Sequence, residues 1–339
     1  MFNIDSFKDM EPMRYYDNPM PKTASAAAKR ESIISGELSK NYIATRKFDG
    51  DWGMFIHYGK GNNLIRSRSI SKVTGKYGDY TAKLPALVAE MDKWPDETVM
   101  LGELCLAADS KEGQTANTIG TILRCLPDKA IERQKTSPVE VHLFDMLMDA
   151  GEDLTELGYQ RRLIRMCQFP INRPFIYPIM YMDNFAEAAD KIITNGGEGL
   201  VLQLADNPYM PGTRTAWKTL KLKQTLPHLE LKVIATLEPN KEYCGDAAET
   251  WNFKLDDGTL VTKPYYMGWK NGVVVDYNGV QVSVTSGLTD DDRAWLASAE
   301  AQQMIAKGDL YAEIKAMSEN SRASLRHPCL VRLRYGEEI

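Results

Sequence analysis

The chain's 339 residues suffice for two or three domains, and its 43% hydrophobic and 26% charged side chains are those of an ordinary globular protein. No apolar run approaches the length of a bilayer crossing, and the start, Met1-Phe2-Asn3-Ile4-Asp5, lacks the basic and apolar stretches of a signal peptide, so a cytoplasmic protein without a membrane partner is expected. A net charge of −5 argues against indiscriminate coating of nucleic acid while leaving room for a local basic face.

Residues 1–40 read as a polar, proline-containing lead-in with one surface helix around 24–30. From 41 to 224, strand-like runs dominate, at 42–45, 53–57, 64–67, 99–104, 140–147, 200–204 and 217–223. Helices are predicted at 80–91, 155–167 and 184–194, the last stopped by Asn195-Gly196-Gly197. Strands mixed irregularly with helices predict an α+β domain built on antiparallel sheet, without a βαβ repeat. Thr225-Leu226-Pro227-His228 reads as a hinge. Beyond it, over 229–339, short strands at 229–237, 250–255, 260–262, 273–277 and 280–285 are separated by Asp256-Asp257-Gly258 and Tyr277-Asn278-Gly279, and Asx-Gly pairs between alternating runs signal hairpins. Thr289 caps a predicted helix over 290–305, and strands at 311–317 and 329–334 close the domain. A small barrel of five or six strands with one inserted helix is the shape of an OB-fold.

The cysteines, Cys105, Cys125, Cys167, Cys244 and Cys329, are dispersed without Cys-x-x-Cys spacing, and the four histidines are equally scattered. Neither a zinc site nor a disulfide framework is indicated. A metal would have to be held by carboxylates and ligand oxygens, which points to magnesium or manganese.

Six short motifs could carry chemistry. Lys47-Phe48-Asp49-Gly50 sits between two strands, placing an amine where it could serve as a nucleophile, with Asp49 able to orient it. Ser67-Arg68-Ser69 suits a bidentate phosphate contact. Glu103 stands on an apolar strand, where a carboxylate needs a partner. Phe144 could stack a base. Glu198, framed by glycines at the entrance to a strand, is a candidate metal ligand. Strand alternation puts Lys221 and Lys223 on one face. Each element alone has a plain structural explanation, from a strand-end ion pair to an aromatic in the core.

In order and spacing, however, Lys-x-Asp-Gly, Ser-Arg-Ser, Gly-Glu-Leu, Phe-Asp-x-Leu, Glu-Gly-Leu-Val and Leu-Lys-Leu-Lys resemble the motif series of the covalent nucleotidyltransferases, which include ATP-dependent DNA ligases, RNA ligases and capping guanylyltransferases. Ser324-Leu325-Arg326-His327-Pro328-Cys329 is similar to the ending of the small ATP-dependent DNA ligases of T-odd bacteriophages, which favours DNA ligase. The resemblance implies a nucleotidyltransferase (adenylation) domain followed by an OB-fold domain, acting as a monomer on ATP and nicked duplex DNA in replication, repair or recombination. Lys47 would take AMP from ATP. Thr45, Arg46 and Phe48 would lie along the nucleotide, Arg68 would hold the AMP ribose or the nick phosphate, and Glu103 would bind ribose. Phe144 would stack adenine, Glu198 and Glu103 would support magnesium, and Lys221 with Lys223 would hold phosphates. Arg326, with Arg332 and Arg334, would orient pyrophosphate when the OB domain closes over ATP, swivelling at 225–228. Lys72 and Lys76 are candidate DNA contacts. Two positions depart from the family pattern: Trp52 replaces an arginine and Gln203 a lysine. Replacement cations are expected from Arg46 or Arg66 for the first and from Arg214 for the second. The alternatives are an RNA ligase or capping enzyme with the same covalent step, and a non-catalytic OB-type nucleic-acid-binding protein.

Overall fold

The computed structural model describes residues 2–14, 23–71, 74–107, 119–223, 228–242, 253–319 and 324–335. The chain divides into two compact units, Met1–Lys223 and Gln224–Ile339. Residues 225–227 of the expected hinge, Lys72 and Cys244 fall outside the described residues.

The first unit contains β1 (Tyr42–Lys47), β2 (Asp51–Gly59), β3 (Asn62–Ile70), β4 (Tyr77–Asp79), β5 (Thr98–Leu106), β6 (Val139–Asp149), β7 (Glu152–Asp153), β8 (Phe175–Ile176), β9 (Met180–Tyr181), β10 (Gly199–Leu204) and β11 (Thr219–Lys223). They form two sheets: a four-stranded one in the order β11-β10-β1-β9, and a seven-stranded one in the order β4-β3-β2-β5-β6-β7, with β8 added parallel to β6. Every other pairing is antiparallel, as expected for strands joined by tight turns.

Both faces of the large sheet are covered, so its strands read as nearly continuous apolar runs. One face packs Phe55, Ile65, Met100 and Leu104 against helices that contribute Leu87, Met91, Leu163 and Met166. The other packs Trp52, Met54, Ile56 and Leu101 against Ile4, Phe7, Met10 and Met13. The lead-in is therefore partly core, although its sequence looks like a polar tether. Arg66 secures it: fully buried, it donates from Nε to the Phe7 carbonyl at 3.1 Å and from Nη2 to that of Met10. The helix Ala24–Ile34, capped by Thr23, buries Ile33 and Ile34 with Phe185, Leu200 and Leu202 on the small sheet.

Three predicted elements differ in detail. The expected helix 80–91 is a 3₁₀ turn, Thr81–Lys83, followed by a helix over Pro85–Met91. Leu84 precedes a proline and takes φ −126°, ψ 59°, because the ring behind it disfavours helical backbone. The expected helix from 155 begins at Tyr159, since Asp153 Oδ1 accepts from Thr155 N at 2.9 Å and from its hydroxyl at 2.7 Å, holding a turn there. Strand β11 starts at Thr219 because Trp217 has φ 67°.

The second unit contains β12 (Leu229–Leu237), β13 (Phe253–Lys254), β14 (Leu260–Val261), β15 (Gly272–Tyr277), β16 (Val280–Val284), β17 (Leu310–Lys315), β18 (Ser318–Glu319), β19 (Leu325–Arg326) and β20 (Cys329–Tyr335). Five of them make a sheet in the order β16-β15-β12-β17-β20. A parallel bridge between Ser286 and Cys329, with Leu330 N donating to Ser286 O at 2.8 Å, joins its two edges and closes an OB-type barrel. The predicted helix 290–305 is two helices, Asp290–Leu296 and Ala299–Lys307, because Ser298 caps the second through Ala301 N. No helix among the described residues is long and apolar enough to cross a membrane.

Candidate active site

A cavity of about 360 Å³ opens in the first unit, lined from both sheets. Register fixes what each sheet presents, because directly paired residues share a face. On the small sheet, Thr45, Val201 and Lys221 form one row, flanked by the rows Lys47-Gly199-Lys223 and Ile43-Gln203-Thr219. On the large sheet, Trp52, Glu103 and His142 form a row across β2, β5 and β6. Of the sequence candidates, Thr45, Arg46, Lys47, Phe48, Arg68, Glu103, Phe144 and Lys221 line this cavity. Glu198 joins it through Lys47, whose Nζ donates to Glu198 Oε2 at 2.5 Å. Asp49 lies on the bend between β1 and β2, outside the lining, where Asp51 stands instead. Lys223 faces Gly199 one row beyond the lining. Arg326, on β19, belongs to the second unit. In that unit Arg332 and Arg334 are held by Glu313 at 2.6 and 3.1 Å; with His228 they keep its carboxyl at about 2.

Two glycines are dictated by backbone proximity. A Cβ on Gly50 would fall 2.2 Å from the Leu104 carbonyl oxygen, so only glycine lets the turn after Lys47 lie on β5. Gly199, opposite Lys47, has φ +128°, and its Cβ would meet the Leu222 carbonyl oxygen at 2.0 Å. Phe144 owes its position to a β-bulge: Leu101 pairs with Asp145 and Gly102 with Leu143, leaving Phe144 as the extra residue. Asp145 beside it is structural, since its carboxylate takes Arg162 Nε at 2.8 Å and Nη2 at 2.9 Å in a buried bidentate pair that ties the helix Tyr159–Gln168 to β6.

Electrostatically the cavity crowds carboxylates around one lysine. Glu103 is pushed up to about 7, first by burial and then by Glu198 and Asp51, against the opposing pull of Lys47 and the Gly50 N–H. Asp51 is raised by burial, with Arg124 pulling the other way. Among the described residues no three acidic, His or Cys side chains form a ready-made metal cage. The oxygen-only pair Glu103 and Glu198 suits instead a hard cation that takes its remaining ligands from water or phosphate, and the raised Glu103 shows that added positive charge would be welcome there.

The lining residues that escaped the sequence reading include Arg124, His142 and Tyr159, besides Asp51. Arg124 follows a helix of four residues and belongs to no motif. His142 stacks on Phe48, with ring centroids 3.7 Å apart and 16° between planes; period-two counting back from Phe144 would have found it. Burial, Arg46 and Arg173 push its imidazole down to about 4, so it is neutral at pH 7. The expected replacement cations divide. Arg46 lines the cavity. Arg66 does not, being buried over the Trp52 and Tyr77 rings and engaged with the lead-in's carbonyls. Arg214 lines a neighbouring cavity of about 460 Å³ with Arg14, Arg68 and Lys221.

A lysine on a sheet floor, walled by carboxylates and aromatics and followed by an OB-type barrel, defines the adenylation-plus-OB architecture. Solved structures share it: a Lig E DNA ligase aligns with TM-score 0.59 at 19% identity, covering 87% of this chain and 93% of that one. A chain named Pmar-Lig_Pre aligns with TM-score 0.65 at 16% identity, covering 96% of this chain and 68% of that one. At these identities the likeness is one of fold. The sequence comparison is more specific: residues 21–223 match the model of the ATP dependent DNA ligase domain, and the chain belongs to that family. Similar curated proteins include the DNA ligase of Methanocorpusculum labreanum, 28% identical over 327 residues (92% of this chain, 55% of that protein). The probable DNA ligase of Dictyoglomus thermophilum is 29% identical over 212 residues (60% and 34%). The chain thus spans about half the length, or less, of these curated relatives. The ending Leu325-Arg326-His327-Pro328 lies outside residues 21–223, which the family model matches.

Proposed function

We propose that the chain is an ATP-dependent DNA ligase that seals 5′-phosphate/3′-hydroxyl nicks in duplex DNA, acting as a monomer. The observation that carries this reading is the position of Lys47 Nζ, in a cavity large enough for a nucleotide and within the residues that match the ligase domain. The amine's lone pair attacks the α-phosphorus of ATP. A nitrogen–phosphorus bond forms, the bond to pyrophosphate breaks, and pyrophosphate leaves. AMP then passes to the 5′-phosphate of the nick, and the 3′-hydroxyl displaces it. Such transfers are governed by positioning and charge neutralisation.

Lys47 is held ready by Glu198, and it becomes nucleophilic once Glu198 takes another partner. Glu103 and Glu198 would hold magnesium or manganese, which supplies charge neutralisation at the phosphates when bound. Phe144 offers the base an aromatic face, Glu103 a ribose contact, and Arg46, Arg68 and Lys221 cationic contacts to phosphate. Asp49 orients the turn after Lys47, and Lys223 extends the cationic row behind the lysine. We assign Arg326 to pyrophosphate.

Mass spectrometry of protein incubated with ATP and magnesium tests the first step. An AMP increment that disappears in Lys47→Ala is expected, and its absence from the wild type would refute the proposal. Joining of a nicked DNA duplex and of its RNA-stranded counterpart tests the second. Sealing of RNA alone, or labelling by GTP alone, would establish an RNA ligase or a capping enzyme instead.

A further inference from the structure

Three side-chain nitrogens on the cavity wall are buried without a hydrogen-bond partner among the described residues: Nε of Arg46, whose guanidinium lies over the Phe48 ring, and the Nε2 atoms of the two neutral side chains, His142 and Gln203. Neither residue is exposed, at 7% and 5%. A buried polar group left unpaired is destabilising, so the two neutral ones call for a ligand that satisfies both. They come from different walls, His142 from β6 beside Glu103 and Gln203 from β10 between Ile43 and Thr219. The Phe48 ring lies flat on His142, which fixes the imidazole plane. Gln203 stands where the family pattern carries a lysine, so a directional neutral amide replaces a point charge.

We propose that His142 and Gln203 read the hydrogen-bonding edge of the nucleobase and set a preference for adenine over guanine, an inference that rests on the nucleotide reading above. The Gln203 amide nitrogen donates, which suits the unprotonated ring nitrogen N1 of adenine. With its proton on Nδ1, His142 accepts at Nε2, which suits the adenine exocyclic amine. Guanine presents the reverse pattern, a ring N–H and a carbonyl oxygen, and would set donor against donor and acceptor against acceptor. A site built to hydrogen-bond its substrate rejects an analogue that leaves its polar groups unpaired.

The test is covalent labelling of the full chain by α-labelled ATP and GTP, with kcat/KM measured for each. His142→Phe keeps a ring against Phe48 and removes both nitrogens; Gln203→Leu keeps the volume and removes the amide. Each should lower the ATP-over-GTP ratio by about three- to tenfold, through a raised KM for ATP. Gln203→Glu, which trades a donor for an acceptor, should move the ratio further toward GTP. Loss of packing alone would lower both substrates together, so a ratio unchanged in all three variants overturns the inference even if rates fall. A wild type that labels with neither nucleotide overturns the ligase reading and this inference with it.

Discussion

Replacing Glu103 with glutamine should stabilise the ligand-free protein above neutral pH while impairing its activity. The Glu103 carboxyl titrates at about 7 in the fold, against an ordinary 4.5. Between these values the folded chain binds more protons than the unfolded one, so stability falls as pH rises through the window. The cost is absent below about pH 4.5 and complete above about pH 7, where the gap corresponds to about 3 kcal/mol. Water in the open cavity above the half-buried side chain lowers that figure, which is therefore an upper bound. Glutamine keeps an oxygen for the Gly50 N–H and removes the charge. Thermal unfolding of both proteins at pH 5 and pH 8, without nucleotide or metal, measures the effect. The variant should gain on the wild type by roughly 5–10 °C at pH 8, with a small difference at pH 5. Parallel pH dependence in the two proteins would refute the argument. Labelling by ATP should fall in the same variant, because the carboxylate that destabilises the empty site serves the occupied one.

Asp145→Asn leaves the Arg162 guanidinium buried with half its partner gone, and should cost about 3 kcal/mol or more in urea unfolding at pH 7. A near-neutral effect would show that the pair is dispensable. Arg326→Ala should slow lysyl-AMP formation from ATP while leaving joining of pre-adenylated nicked DNA less affected; an unchanged first step would remove Arg326 from the pyrophosphate assignment.

Lys47, Glu103 and Lys221 share the cavity because each sits on a strand whose alternation fixes its face, whereas Asp49 and Glu198 stand just outside strands. The sequence singled them out by the order and spacing of the motifs and the family these resemble, since each motif alone has a plain structural explanation. Phe144 was legible as an aromatic but its bulge was not, since an extra residue in a strand covered on both faces does not break any alternation of apolar and polar positions. Arg124 was invisible, because its place depends on a short helix and a turn with no periodic signal. The lead-in was misread for a similar reason: Ile4, Phe7, Met10 and Met13 recur every three residues, a spacing that matches neither the α-helix nor the strand period, and their burial comes from a sheet face supplied by distant sequence. Arg66 was taken for a possible pocket cation because charge is visible in sequence, whereas the carbonyls that claim it are a property of the fold.

The glycines at 50 and 199 carry a consequence for how such a protein can change over time. The backbone around Lys47 is located by main-chain contacts on either side, through Leu104 and Leu222, while Glu198 holds only the tip of its side chain. Neighbouring walls can therefore be rebuilt residue by residue without moving the nucleophile. A lineage can exchange arginine for Trp52, or lysine for Gln203, and retune what enters the cavity. An exchange at either glycine displaces the reaction centre itself, so divergence has free play around the lysine and almost none beneath it.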